Sequence, residues 1–223
     1  MANEIDCNEA VALIVPCLDR KIGWEAAITA MANAGHPVFP IVQWDQDRKG
    51  YVHTVNQAVQ RILRRDAGEA CPPRHICLLD SNATPKTDGW LAKLVETLYI
   101  ADDIWFVGGK GNCRTSWQKA KGPTNDPPKR ARHLASFCLL LHCEVATRFE
   151  PLLYPEFKQY GADVLLQMVS TKFFGKKTYI VPEVYIEHLV YGRYESWWRH
   201  DQGLLKKMRL WKQYQLQDWI KGA

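Results

Sequence analysis

An unbroken apolar run at residues 11–16 gives way to apolar residues at 24, 27, 28 and 31, and the same switch of period happens twice more before residue 100. A short continuous run suits a buried strand, and the three- and four-residue spacing suits a helix. Gly35 is placed to end the first helix. Residues 38–42 form the second run, followed by a helical face of Val52, Val55, Val59, Ile62 and Leu63 that ends near Arg65. Residues 75–79 form the third, followed by Trp90, Leu91, Leu94, Val95 and Leu98, with Thr87 or Asp88 as the expected N-cap. Strand–helix order of this kind predicts an α/β fold, a mostly parallel central sheet with helices on its faces.

Periodicity is less regular beyond residue 100. Residues 104–107 read as a fourth strand that leads into Gly108-Gly109. Residues 110–133 show no period and contain Gly122, Pro123, Pro127 and Pro128, which predicts a long loop. Residues 137–141 read as a fifth strand, and Val164, Leu165, Met168 and Val169 mark a helix closed by Gly175. Two short strands, 179–181 and 184–186, flank Pro182. A last helical pattern over 196–220 carries Trp197, Leu204, Met208 and Trp211 at a spacing typical of core or dimer contacts.

At 223 residues and 47% hydrophobic, the chain is long enough to bury a core without staples. No apolar run approaches the ~18 residues of a membrane span. Glu4 and Asp6 precede the first strand and no basic n-region does, which predicts no signal peptide and a cytoplasmic protein. The seven cysteines, Cys7, Cys17, Cys71, Cys77, Cys113, Cys138 and Cys143, are odd in number and never spaced C-x-x-C. A zinc site or disulfide framework is therefore not expected.

The formal net charge of +5 is unevenly spread. Residues 110–132 hold seven basic side chains against Asp126, an excess of six, and residues 192–223 hold seven against three acids, an excess of four. Everything else is net negative. Two solvated basic faces, or a contact surface for a polyanion such as nucleic acid, both fit this distribution.

Ligands of parallel α/β sheets bind beyond the carboxyl ends of the strands. Three such ends carry polar residues here: Pro16-Cys17-Leu18-Asp19, Trp44-Asp45-Gln46-Asp47 and Asp80-Ser81-Asn82. In the last, a carboxylate and an amide at alternate positions supply hard oxygen ligands suited to Mg²⁺ or Mn²⁺ holding a diphosphate. The same tripeptide also suits an ordinary acidic strand end.

The order of these features resembles a family 2 glycosyltransferase with the nucleotide-sugar-binding GT-A fold. The resemblance runs over residues 9–190, with 191–223 as a C-terminal helical extension packing on the same domain. It rests on Ile14-Val15-Pro16, Asp45, Asn56, Asp80-Ser81-Asn82 with Pro85 after it, Gly161-Ala162-Asp163-Val164-Leu165 and Pro182-Glu183-Val184-Tyr185-Ile186-Glu187-His188. Two departures stand out. Asn82 replaces a second metal-motif carboxylate, and Ala162 stands where many relatives have an acid.

What the resemblance implies is an inverting, metal-dependent transfer of a sugar from a nucleotide-sugar donor, with UDP as the expected nucleotide, to an acceptor hydroxyl. It assigns Asp163 as catalytic base and Asp80, Asn82 and His188 as ligands of a divalent cation, Mn²⁺ or Mg²⁺. Pro16, Cys17, Asp45, Asn56, Asp80 and Arg193 become the expected donor contacts, and Lys110, Arg114 and Trp117 the acceptor contacts. Gly108-Gly109-Lys110-Gly111 is then expected as a turn bordering the sugar pocket, and Trp105 is open between core and sugar stacking. Some small phage-encoded glycosyltransferases modify hydroxymethylated DNA, and the compact, basic character here is similar. DNA is thus the favoured acceptor, in the host cytoplasm if the protein is phage-encoded, with a flipped-out base as the substrate. A cell-surface saccharide or lipid-linked acceptor is the alternative, as is a non-catalytic nucleic-acid-binding module. A nucleotidyltransferase is disfavoured, because Pro16-Cys17-Leu18-Asp19 lacks the Gly-rich, Arg-containing loop that class carries after its first strand.

Overall fold

The computed structural model describes residues 10–64, 73–112, 118–189, 195–210 and 219–220. Arg114, Trp117 and Arg193 lie outside the described residues. The elements are β1 (Val11–Cys17), α1 (Arg20–Ala32), β2 (Val38–Trp44), α2 (Tyr51–Leu63), β3 (His75–Leu79), β4 (Ala83–Pro85), α3 (Trp90–Leu98), β5 (Ile104–Gly111), β6 (Lys129–Ala131), β7 (Cys138–His142), α4 (Cys143–Arg148), α5 (Ala162–Phe174), β8 (Lys177–His188) and α6 (Glu195–Leu210). One sheet runs β2-β1-β3-β7-β5-β8-β4, with β6 added against β8.

The first three strands pair in parallel, as their crossover helices require. The expectation of a mostly parallel sheet holds only for that half and for β5 beside β8. β7 inserts antiparallel between β3 and β5, and β4 and β6 pair antiparallel with β8, so the sheet is mixed. β7 is reached from β5 through a loop and β6 instead of a crossover helix, which frees it from the parallel rule.

Alternate strand residues feed two cores. Ala12, Ile14, Ile76, Leu78, Leu139 and Leu141 face α2, α4 and α5. Val11, Leu13, Val15, Cys77, Leu79, Cys138 and Leu140 face α1 and α3. The period-2 geometry of a strand produces this split, and burial on both faces explains why the runs are continuously apolar.

Local readings differ from the structure in a few places. α1 buries Gly23, Ala27 and Ala30, while Trp24 and Ile28 are exposed at 47% and 59%. Small residues let this helix lie close to the sheet, and the indole of Trp90, the first residue of α3, donates to Ala30 O. Gly89, not Thr87 or Asp88, caps α3. Thr87 instead ties to β8, donating to Glu183 O and accepting from Tyr185 N. The two strands around Pro182 are one strand of 12 residues, with the irregularity absorbed where pairing jumps from Gly109–Val181 to Lys110–Tyr185. The last helical pattern is a helix only to Leu210 among the described residues, and Ile220 bridges to Phe149.

Candidate active site at the carboxyl end of the sheet

β3 ends at Leu79 and places Asp80 at the mouth of the sheet. β8 ends on His188, so the two meet although 108 positions separate them: His188 Nε2 lies 3.2 Å from Asp80 Oδ2. The His188 ring stacks on Phe137 with centroids 5.2 Å apart and planes 16° apart. Its backbone N–H donates to Asn112 Oδ1 at 2.6 Å. Its Nδ1 is buried and has no hydrogen-bond partner among the described residues.

Asp163 opens α5 and is 8% exposed. Oδ2 accepts from Ser136 N at 2.7 Å and Oδ1 from Val164 N at 2.8 Å. Burial pushes its carboxyl above the usual range; the two backbone donors oppose that, and the Asp80 charge adds to it. The Ser136 side chain also hydrogen-bonds this carboxylate and opposes the rise; a carboxyl raised in this way takes up a proton more readily than an ordinary one.

The dipeptide Ser136-Phe137 joins these residues. Ser136 N binds Asp163, Phe137 O accepts from Asp80 N at 3.1 Å, and the Phe137 ring carries His188. Ser136 O accepts from the hydroxyl of Tyr51, a residue absent from the sequence assignment. Burial raises the Tyr51 phenol well above its ordinary value, and the Asp80 and Asp163 carboxylates add to the rise. The segment 134–136 is held by three side chains in turn: Gln167 Oε1 takes Leu134 N, Gln118 Oε1 takes Ala135 N and Asp163 takes Ser136 N, each at 2.7 Å. Only Gly50-Tyr51 before an amphipathic helix hinted at Tyr51. The roles of Ser136, Gln118 and Gln167 are backbone bonds to distant elements, and no local pattern marks them.

The residues fit a divalent cation. A carboxylate oxygen and an imidazole nitrogen 3.2 Å apart are donors that Mn²⁺ or Mg²⁺ accepts. Asn82 donates its amide N–H to Leu189 O at 2.5 Å, which leaves Oδ1 as its one atom able to bind a cation. Among the described residues no group of three or more His, Cys, Asp and Glu converges. Diphosphate oxygens and water would have to complete the shell.

Other expected donor contacts are not brought to this point as free groups. Asp45 is 8% exposed, and its two oxygens accept from Lys49 N and Gly50 N at 2.8 Å, capping its own turn. Asn56 closes a reciprocal pair with Leu153, donating to its O at 2.7 Å and accepting from its N at 2.8 Å. One N–H and one lone pair of that amide thus bind the backbone, so Asn56 clamps α2 to the 153 segment. Pro16 and Cys17 are buried; the Cys17 thiol packs toward Gln43 O and α1, and burial raises its pKa.

Gly108-Gly109-Lys110-Gly111 is the end of β5 and not a turn. A side chain at Gly109 would meet Val184 O at 2.7 Å and one at Gly111 would meet Ile186 O at 2.4 Å, so these glycines let β8 pack against β5. Lys110 sits half-exposed in that strand. Trp105 is core, 4% exposed and 5.4 Å from the Phe174 ring. Lys119, Lys121, Lys129, Arg130 and Arg132 are all exposed on the loop and β6.

A mixed sheet with this order and helices on both faces has the GT-A fold, the fold of nucleotide-sugar glycosyltransferases. No family model and no curated protein matches the sequence. Solved structures do. A mannosyltransferase from Pyrobaculum calidifontis in complex with GDP-Man and Mn²⁺ aligns with a TM-score of 0.58 at 16% identity, over 91% of this chain and 65% of that one. GalNAc-T7 with UDP, GalNAc and Mn²⁺ aligns at 0.55 and 12%, over 85% and 45%. Glucosyl-3-phosphoglycerate synthase from Mycobacterium tuberculosis with Mg²⁺ and UDP aligns at 0.54 and 12%, over 92% and 78%. The chain thus spans about half to two thirds of the first two. No helix among the described residues is long and apolar enough to cross a membrane.

Proposed function

We propose that this protein is a metal-dependent glycosyltransferase that moves a sugar from a nucleoside diphosphate, UDP in the first instance, to an acceptor hydroxyl with inversion. The convergence of Asp80, His188 and Asp163 on Ser136-Phe137 carries this reading. Three solved structures of the same fold with a nucleotide or nucleotide sugar and Mn²⁺ or Mg²⁺ support it.

Asp80 Oδ2 and His188 Nε2, with Asn82 Oδ1, are the atoms that would hold the cation, which when bound neutralises charge on the departing diphosphate. Asp163 accepts the proton of the acceptor hydroxyl as that oxygen bonds to the anomeric carbon. The bond from that carbon to the diphosphate oxygen breaks, and the leaving group takes the electron pair. Attack from the face opposite the leaving group inverts the centre. Burial of Asp163 holds its pKa above the usual carboxylate range, which strengthens it as a proton acceptor.

The acceptor in this reading is a polyanion, hydroxymethylated DNA first among them. The exposed Lys119, Lys121, Lys129, Arg130 and Arg132 supply phosphate contacts on one segment. Lys110, Arg114 and Trp117 belong to the same stretch of chain and are proposed to line the acceptor path, and Arg193 to reach the diphosphate.

The test is nucleotide release from a panel of UDP-, GDP- and dTDP-sugars with Mn²⁺, with and without hydroxymethylated duplex DNA. Sugar-specific release stimulated by the DNA is expected. Release indifferent to DNA redirects the acceptor to a saccharide or lipid-linked hydroxyl. No release and no donor binding, with DNA still bound, would leave a nucleic-acid-binding module.

A further inference from the structure

The C-terminal helix α6 carries a fully buried carboxylate, Asp201, at 0% exposure. Burying a charge is costly unless every lone pair is used. Here it is used in an unusual direction. Asp201 Oδ1 accepts from Lys158 N at 3.0 Å, and Oδ2 accepts from Gln159 N and Tyr160 N at 2.8 Å each. His200 Nδ1 lies 2.9 Å from Oδ1 on the outer side. Three successive backbone donors thus converge on one side chain that is more than forty positions away.

The turn they form has two neighbours, both in the site. Forward, Tyr160 leads through Gly161 into the first turn of α5 and Asp163. Sideways, Lys158 O accepts from Val52 N at 3.2 Å in the first turn of α2, next to Tyr51. Gly50, at φ 105°, passes so close that a side chain there would stand 2.5 Å from Lys158 O. One carboxylate therefore fixes the approach to Asp163 and braces the start of α2 at once.

We propose that Asp201 is a positioning residue for the transfer reaction, holding the 158–160 turn so that Asp163 is presented to the acceptor hydroxyl. This role rests on the glycosyltransferase reading above. α6 is then part of the catalytic apparatus and not an appendage. Charge-assisted bonds to three amides in a dry site are strong, and an isosteric amide cannot replace all of them, because its one oxygen serves one side of the fork and its NH₂ would face a backbone donor on the other.

The experiment pairs kinetics with hydrogen exchange on the full chain. Asp201→Asn is expected to lower kcat on the order of 10²-fold, the effect of misplacing a reacting group by about an ångström, while donor Kd by calorimetry stays within about threefold. Wild-type amides of 158–160 are expected to exchange as slowly as those of β3, a measurement that holds even if the variant does not fold. Fast wild-type exchange at 158–160 overturns the clamp. In the variant, kcat, donor affinity and melting temperature falling in step would reduce Asp201 to a stability role. A wild type that releases nucleoside diphosphate normally, with full kcat in Asp201→Asn, overturns this role alone. A wild type that releases nothing from any donor overturns the glycosyltransferase reading and this role with it.

Discussion

The two ends of β3 handle titratable groups in opposite ways. At its carboxyl end, Asp80 faces His188 at 3.2 Å and shares a field with Asp163 and Tyr51. At its amino end, His75 is 3% exposed, hydrogen-bonded through Nε2 to the Tyr99 hydroxyl at 2.9 Å and 5.4 Å from the His142 ring. Burial drives His75 down to about 4, and it lowers His142 too. One end gathers charge and keeps it within reach of a ligand. The other uses its histidines as neutral aromatic filler. Residue type alone does not separate the two uses; what separates them is whether the group has a partner able to exchange for substrate.

The comparison breaks first at Asp163. Asp163→Asn is expected to reduce transfer by about 10³-fold, within the range of a lost general base, with donor affinity retained in calorimetry. Full turnover in that variant would remove the base from the carboxyl end. Asp80→Ala comes next. Loss of a hard ligand should weaken binding of the nucleoside diphosphate by roughly 10- to 100-fold and abolish its dependence on Mn²⁺. Unchanged affinity and unchanged metal dependence would cancel the metal assignment.

What the sequence disclosed at each end follows the same division. The β1 to β3 alternation was plain because both sheet faces are buried, so each strand is a continuous apolar run. Asp80, Asp163 and His188 each stand at or beside the end of an element, next to an apolar pattern, which is why they can be singled out from sequence. Asn56 lies inside α2 instead, and its bonds to Leu153, 97 positions on, leave no local pattern to read. Ser136 and Asp201 carry no local sign either, and Tyr51 only its place at the start of an amphipathic helix. Tyr51 and Asp201 bond backbone atoms of distant segments and Ser136 gives its own backbone N–H to Asp163, contacts that leave no period to read.

The amino end sharpens under acid. A histidine whose folded pKa lies below its unfolded value of about 6.5 binds its proton more readily when unfolded. The stability it confers is complete above pH 6.5 and is lost as pH falls from there toward 4. With His75 at about 4, the loss is expected to be on the order of 3 kcal/mol by pH 4. Urea melts at pH 7 and pH 4.5 measure it, and His75→Phe should flatten that pH dependence. An equal acid loss in His75→Phe would place the sensitivity elsewhere.

The smallest effect tests the intermediate case, Asp45, a carboxyl-end acid that behaves like a structural one. Its oxygens are bound by Lys49 N and Gly50 N, so it caps the turn into α2. Asp45→Ala should cost about 1 kcal/mol of stability, the usual effect of losing a cap, seen as a lower melting temperature. Donor affinity is expected to stay within about threefold, because the oxygens a nucleobase would need already serve the backbone. A tenfold loss of donor affinity with an unchanged melt would reverse that assignment and move Asp45 to the side of Asp80. It would mean that the turn over 45–50 opens when the donor arrives, trading two backbone bonds for two to the base.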